Sequence, residues 1–505
     1  MTSVFVRRTD VVLRPDPSRV IAKIFLPGQE PTTTGVSRAA GVVQRCLALG
    51  EGEVEEELAE IMAGFGSRHR HFDRILDAHF AALAHRVEGS EELSTERRRL
   101  IGAYFTQEYA HQSAALFNPS VVAHPEQDVA PGSLRFLMSA RAVGEGHLSS
   151  IVFGSGVLGP GTARTATVTV DRPSGNAMEG EPRDSLLDRE RFRIEATASD
   201  VDPGSLTFVL DALAPQFTLD ALDGALAELQ DQQLTRVNIG ETLDCLRLVA
   251  TSSYTVGFPA GIPLSDRVLT PSAPVESHGI EDARFVRFTD DRGASTYLAT
   301  YTAYDGSGIV SRRLETDDFL TFRASAFTGR AATNKGMALF PRLVGGHHLA
   351  LSRWDRENNA IAVSADGYGW HDVRQVQAPE QPWELIQLGN CGSPIETPQG
   401  WLVLTHGVGA MRSYSIGALL LDLDDPWRVI GRLAQPLLRP APDERDGYVP
   451  NVVYSCGALV HGQTLLLPYG CSDSTIRIAL VDLPELLDRL TENPTVPTPP
   501  GETLT

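Results

Sequence analysis

The sequence predicts a mainly β protein, a five-bladed β-propeller with an N-terminal helical region and a partly helical insertion. One hairpin plan recurs from residue 116 onward, a helical periodicity fills the stretch before it, and a leucine-spaced segment interrupts the longest interval between repeats. The boundaries that follow are an arm and helical region over 1–115, a propeller over 116–488 with an insertion at about 155–270, and a flexible tail over 489–505.

The arm VVLRPDPSRVIAKIFLPG reads as extended chain. Next, EVEEELAEIMAGF sets Val54, Leu58, Ile61, Met62 and Phe65 at helical spacing, and Phe72, Ile75, Leu76, Phe80, Leu83 and Val87 repeat the pattern. A third helix, from about Ser94 through RRRLIGAYFTQEYAHQSAAL, makes the region mostly helical up to 115, with the basic run at 97–99 on a solvated face. In the insertion, Leu219, Leu222, Leu226 and Leu229 share one side of a helix. Both helical regions carry an apolar face that needs a partner, so they are expected to form one cap beside or over the propeller. The closing TENPTVPTPPGETLT has the Pro/Thr content of a tail.

The repeats are FNPSVVAHPEQDVAPGSLRFLMSAR, EDARFVRFTDDRGASTYLATY, NKGMALFPRLVGGHHLALSR, GSPIETPQGWLVLTHG and NVVYSCGALVHGQTLLLPYG. Each is a short apolar strand opening on a polar residue, a turn with glycine, and a second apolar strand. The turn glycines Gly132, Gly293, Gly346, Gly400 and Gly462 lie 161, 53, 54 and 62 residues apart. The last three intervals slightly exceed the roughly 40 to 45 residues of a short four-stranded blade, and the first has room for an insertion.

Bulk properties exclude several functions. A hydrophobic content of 42% over 505 residues supports a packed interior. A formal charge of −20 repels nucleic acid and anionic membranes, so neither is expected as a partner, and a bound anion needs a local cluster of cations. Cys46, Cys245, Cys391, Cys456 and Cys471 have neither CxxC pairing nor zinc-site spacing and read as reduced thiols of a cytoplasmic protein. The start lacks a long apolar signal region, and no stretch approaches the ~18 apolar residues of a membrane span. The oligomeric state is left open, a homo-oligomer included.

In a propeller the innermost strand of each blade starts at the central channel and turns its first polar side chains to the axis. Opening positions supply Asn118, Asp282, Lys335, Ser393 and Asn451; second-strand ends supply Arg141, Arg353 and His406. An acid, several cations and amides around one channel make a site for a polyol and an anion.

The segment GIEDARFV resembles the GxEDPR segment of glycoside hydrolase family 130, the mannoside phosphorylases and related mannosidases. The likeness continues in order through FNPS, NKGMALFPRLVGGHHLALSR, GSPIETPQGWLVLTHGV, YSIGALLLDLDDPWRVIGRL, GYVPNVVYSCG and YGCSD, across most of residues 116–485. It implies a five-bladed propeller, and leaves the helical region and the insertion outside the family core.

Residue by residue, the resemblance makes Asp282 the general acid and Arg353 and His406 phosphate ligands. Lys335 stands where many members have arginine, keeping the charge without the bidentate fork, and Gln387 stands where lysine is common. Asn118, Arg141 and Asp473 match contacts to the transferred mannose, and Tyr414 borders the acceptor subsite. Glu281, by strand alternation, is expected on the opposite face from Asp282 as a structural partner of a basic residue.

An inverting hydrolase needs two carboxyls about 6.5 to 9.5 Å apart, whereas a phosphorylase needs one acid and cations that hold the phosphate. By family precedent the acid acts through a mannose hydroxyl. The expected activity is inverting phosphorolysis of a β-linked manno-oligosaccharide or mannoside to α-mannose 1-phosphate. Inorganic phosphate is the co-substrate, and no other cofactor and no metal is expected. Two alternatives remain: an inverting β-mannosidase with Glu145, Glu396 or Glu444 as base, and a noncatalytic carbohydrate-binding propeller.

Overall fold

The computed structural model describes residues 5–28, 37–183, 186–199, 201–231 and 239–492. All the repeated hairpins form. Ala115–Ala123 pairs with Leu134–Val143, Gly279–Thr289 with Ser295–Tyr304, Ala338–Leu339 with His348–Ser352, Ile395–Thr397 with Gly400–Gly409, and Val453–Tyr454 with Thr464–Cys471. Each second strand carries an antiparallel third: Ser149–Leu158, Ile309–Thr316, Asn359–Ser364, Ser413–Leu421 and Thr475–Asp482. We number these units one to five in chain order.

The second strands are apolar on both faces, and alternation sends successive residues to opposite neighbours. Trp401 and Val403 of unit four pack with Leu349 and Ile361 of unit three, whereas Leu402 and Leu404 pack with Leu465 and Leu467 of unit five. Leu466 of unit five faces the other way, toward Met138 and Val152 of unit one. Leu137 and Phe153 of unit one meet Phe285 and Ala299 of unit two, and Val286 and Phe288 meet Leu339 and Ala350 of unit three. The units thus close on themselves, each buried between two others.

The arm has a role that its composition did not reveal. Its strand Val6–Leu13 is the outer strand of unit five, with Val6 opposite Val481 and Leu13 opposite Ile476. Arg8 Nε also donates to the buried Glu444 carboxylate at 3.0 Å, tying the first residues to the last unit.

Four helices follow the arm: α1 (Arg38–Ala48), α2 (Glu51–Phe65), α3 (Phe72–Leu83) and α4 (Thr95–Tyr104). Ser94 caps α4 by accepting from the Arg97 amide. The expected helix through residue 115 stops at Tyr104, because Thr106–Ala110 pairs antiparallel with Val20–Ile24. Nor is the basic run solvated throughout. Arg97 is 6% exposed, donating to the Cys46 and Leu49 carbonyls at the end of α1 and to Glu51, while Arg99 holds Asp77.

The insertion holds helices α5 (Arg189–Ala198), α6 (Pro203–Ala212), α7 (Leu219–Asp231) and α8 (Ile239–Ser252). Leu222, Leu226 and Leu229 of α7 are buried as their spacing predicts, whereas Leu219 is exposed. The two regions meet through polar contacts, Arg70 between α2 and α3 donating to Ser174 Oγ at 3.0 Å and to Asp266 Oδ2 at 2.9 Å, but they do not share one apolar core. Phe192, Val209, Leu226 and Leu246 make a core within α5–α8, and Phe80, Leu83, Ile101 and Phe105 make another within the first four helices. Each set satisfies its own apolar face, which removes the drive to merge the two cores. Helix α9 (Leu483–Thr491) carries the chain past 488 with Leu486, Leu487 and Leu490 packed on units four and five. The remaining tail, 493–505, lies outside the described residues.

Candidate active site

Asn118, Asp282, Gly336, Gly392 and Asn451 share a positive φ, of 49°, 56°, 103°, 108° and 63°, one at the start of each unit. In units one and two this residue sits in a bulge. Pairing skips from Phe117 to Ser120 against Arg141 and Ser139, and from Glu281 to Arg284 against Thr302 and Thr300. Asparagine and aspartate tolerate the left-handed region better than most side chains, and glycine adopts it freely. Gly336 and Gly392, not Lys335 and Ser393, are therefore the residues equivalent to Asp282. Lys335 is equivalent to Glu281.

The bulge also overturns the expected alternation. Glu281 is not on the face opposite Asp282, because the left-handed turn at Asp282 swings both carboxyls toward the same cations. Arg141 Nη2 donates to Glu281 Oε1 at 2.5 Å, and its Nη1 lies 3.7 Å from Asp282 Oδ1. Lys335 Nζ is 3.7 Å from Glu281 Oε2, and Asn118 Nδ2 donates to Asp282 Oδ1 at 2.7 Å.

A cavity of about 180 Å³ opens over this cluster, and Asn118, Arg141, Asp282, Lys335, Arg353, His406, Tyr414 and Asp473 all line it. Gln387, Arg412, Phe117 and Tyr454 join them. Ser393 and Asn451 do not; Ser393 lines a separate cavity with Val121, Phe285 and Ile395, and Asn451 gives its backbone to Arg445 and Tyr414. The candidate bases also lie elsewhere: Glu396 pairs with Arg342, Glu444 is buried against Arg8 and Tyr469, and Glu145 sits in the turn before Ser149–Leu158.

Burial opposes ionisation of Asp282, but Arg141, Lys335, Arg284 and the Asn118 amide outweigh it and hold the carboxyl below its usual range. Burial pushes Glu281 up despite Arg141 and Lys335, with the Asp282 charge adding to the shift. Burial, then the charge of Asp282, pushes Asp473 up to about 6. Burial, then Arg353 and Arg284, drives His406 well below the usual imidazole range. Its Nδ1 lies 3.1 Å from the Asn390 carbonyl, which requires the proton there and leaves Nε2 to accept from Arg353 Nη1 at 3.3 Å. One side of the cavity thus offers carboxyls held by Arg141, and the other a guanidinium and a neutral imidazole.

Sequence reasoning overlooked Arg284 and Arg412 as contributors. Arg284 is buried, donates to the Tyr454 hydroxyl at 2.7 Å and supports Asp282 from below; it stands in the very GIEDARFV segment, so a signal existed. Arg412 reaches the cavity from a turn, where no periodicity marks it.

The profile of a family described as beta-1,4-mannooligosaccharide phosphorylase matches residues 263–492. A 1,2-beta-oligomannan phosphorylase from a Thermoanaerobacter species is 36% identical over 232 residues, covering 44% of this chain and 75% of that protein. A beta-1,2-mannobiose phosphorylase from Listeria innocua is 32% identical, with 44% of this chain and 63% of that protein covered. A solved structure of a Listeria innocua beta-1,2-mannobiose phosphorylase in complex with beta-1,2-mannobiose aligns over 75% of this chain and 93% of its own, at 22% identity and a TM-score of 0.44. With the first of these relatives more than 30% identical and three quarters covered, the chain belongs to glycoside hydrolase family 130, a family of mannoside phosphorylases.

Proposed function

We propose that this chain is an inverting β-mannoside phosphorylase that uses inorganic phosphate to release α-mannose 1-phosphate. The observation that carries this reading is the split of the cavity. Asp282 lies with Asn118, Arg141 and Lys335 on one side, Arg353 and His406 stand on the other, and none of Glu145, Glu396 and Glu444 lines it. The closed ring of units supports the reading of a five-bladed propeller, a fold that delivers side chains from separate strands to one axis.

Phosphate is an anion before it reacts, so the protein has to position it opposite the leaving oxygen and offset its charge. Arg353 and Lys335 supply the positive charge; His406 Nε2 on Nη1 and the Arg356 carbonyl, 3.4 Å from Nη2, hold the Arg353 guanidinium in place. Asn118, Arg141 and Asp473 hold the mannose, and Asp282 delivers the proton to the departing sugar, directly or through a mannose hydroxyl. In the empty cavity Asp282 is ionised. A phosphate dianion beside Lys335 and Arg353 takes up the charge that stabilises the carboxylate and raises its proton affinity, which is the direction a general acid requires. One displacement inverts the anomeric carbon.

Hydrolysis is the second reading, and the cavity leaves Asp473 to act as its base. No helix among the described residues is long and apolar enough to cross a membrane, and the buried free cysteines support a cytoplasmic location. The test is incubation with β-1,2-, β-1,3- and β-1,4-mannosides with and without phosphate, followed by NMR. Phosphate-dependent α-mannose 1-phosphate is the expected product. Equal release of free mannose in both buffers, with no sugar phosphate, overturns the reading.

A further inference from the structure

The cavity of about 180 Å³ is small beside the roughly 300 to 1,000 Å³ of pockets that enclose a drug-sized ligand. It has room for the transferred sugar and its immediate partners, so any longer leaving chain must lie outside, on the rim. Two matching turns shape that rim. Gly146 and His147 have φ of 66° and 59°, and Met411 and Arg412 have φ of 58° and 54°, each pair joining the second and third strands of its unit.

The Met411–Arg412 pair is informative because neither residue is glycine. A left-handed side chain costs roughly 1 to 2 kcal/mol, and such strain concentrates at ligand sites. Met411 is 89% exposed, so packing does not account for its presence. Arg412 lines the cavity and makes no ion pair among the described residues.

Beside the first of these turns stands Tyr448, 58% exposed. Its amide donates to Ser474 Oγ at 2.7 Å, beside Asp473, and the next residue, Val449, lines the cavity. Its ring lies 5.9 Å from that of His147, with the hydroxyl 3.4 Å from Nδ1. The His147 turn is held in turn by the Tyr109 hydroxyl, which donates to the Glu145 carbonyl at 3.3 Å. An exposed thioether, a free guanidinium and a braced aromatic pair line the edge of a sugar site. They offer flat apolar surface for the faces of pyranose rings and donors for their hydroxyls.

Resting on the phosphorylase reading, we propose that Met411, Arg412, Tyr448 and His147 form a platform for the sugars of the leaving chain beyond the first. The enzyme thereby favours β-mannosides of three or more sugars over the disaccharide. Binding energy from these remote sugars then contributes to positioning the scissile bond.

The test measures kcat/KM on β-mannobiose, -triose and -tetraose of the cleaved linkage, counting free mannose and sugar phosphate together, so that a hydrolytic outcome leaves the chain-length question intact. Wild type is expected to prefer the longer chains. Tyr448→Ala is expected to lower the tetraose-to-biose ratio on the order of tenfold, about 1.4 kcal/mol. Met411→Gly should lower the same ratio while raising the thermal midpoint, because glycine accepts the left-handed backbone. A wild type indifferent to chain length, or variants that keep its ratio or lose activity equally on all three substrates, overturns the platform.

Discussion

Arg353 donates from Nη1 to Nε2 of His406 across 3.3 Å, and the opposite ring nitrogen of His406 is fixed by the Asn390 carbonyl at 3.1 Å. A neutral histidine here orients a guanidinium without competing for an anion. Arg353→Ala is therefore expected to raise the apparent KM for phosphate and to lose transition-state stabilisation on the order of 2 to 4 kcal/mol, the scale for one electrostatic stabiliser. Steady-state kinetics at varied phosphate check this; an unchanged phosphate dependence places the anion elsewhere.

Asp282→Asn should fold normally, since asparagine suits the φ of 56° and keeps an oxygen for the Asn118 amide. Its rate on unactivated mannosides should fall by ~10² to 10⁴, the usual contribution of general acid catalysis. A good leaving group should recover part of the loss. Near-wild-type turnover of the natural glycoside moves the acid to another residue.

Asp473 links the empty site to pH. Its pKa of about 6 lies above the unfolded value, so the protonated form favours folding and that contribution is lost as pH rises through about 6. His406, depressed by burial, has the opposite sense: its contribution is present above the unfolded imidazole value and is lost on acidification. The difference in melting temperature between Asp473→Asn and wild type cancels the His406 effect. It should grow in favour of the variant between pH 5 and pH 7, and a flat difference contradicts the assignment.

Arg8→Met tests the latch between the first strand and unit five. The buried Glu444 keeps the Tyr469 hydroxyl at 2.7 Å, the Ala441 amide and Arg477 Nη1 at 3.8 Å, but loses its nearer cation at 3.0 Å. A stability loss of about 1 to 3 kcal/mol is expected for such a buried, partly satisfied group. Chemical denaturation measures it, and a neutral result means that the strand pairing alone closes the ring.

The sequence by itself determined what depends on local pattern. Alternating apolar residues around Gly132, Gly293, Gly346, Gly400 and Gly462 determine the hairpins, and helical spacing determines α2, α3 and α7. The quoted motifs also placed Asn118, Asp282, Arg353, His406 and Asp473 in one site, because residues at matching positions of a closed repeat converge whatever their distance along the chain. Only the tertiary structure decided the rest. Strand alternation separates Glu281 from Asp282 until a bulge with a left-handed residue turns both toward Arg141, a backbone choice made by pairing with Thr300 and Thr302. The strand Val6–Leu13 could be assigned to unit five only through its partner more than 460 residues away, and the two helical cores separated because each found enough apolar surface within itself. Non-local pairing and competition for burial leave no mark in a short window of sequence.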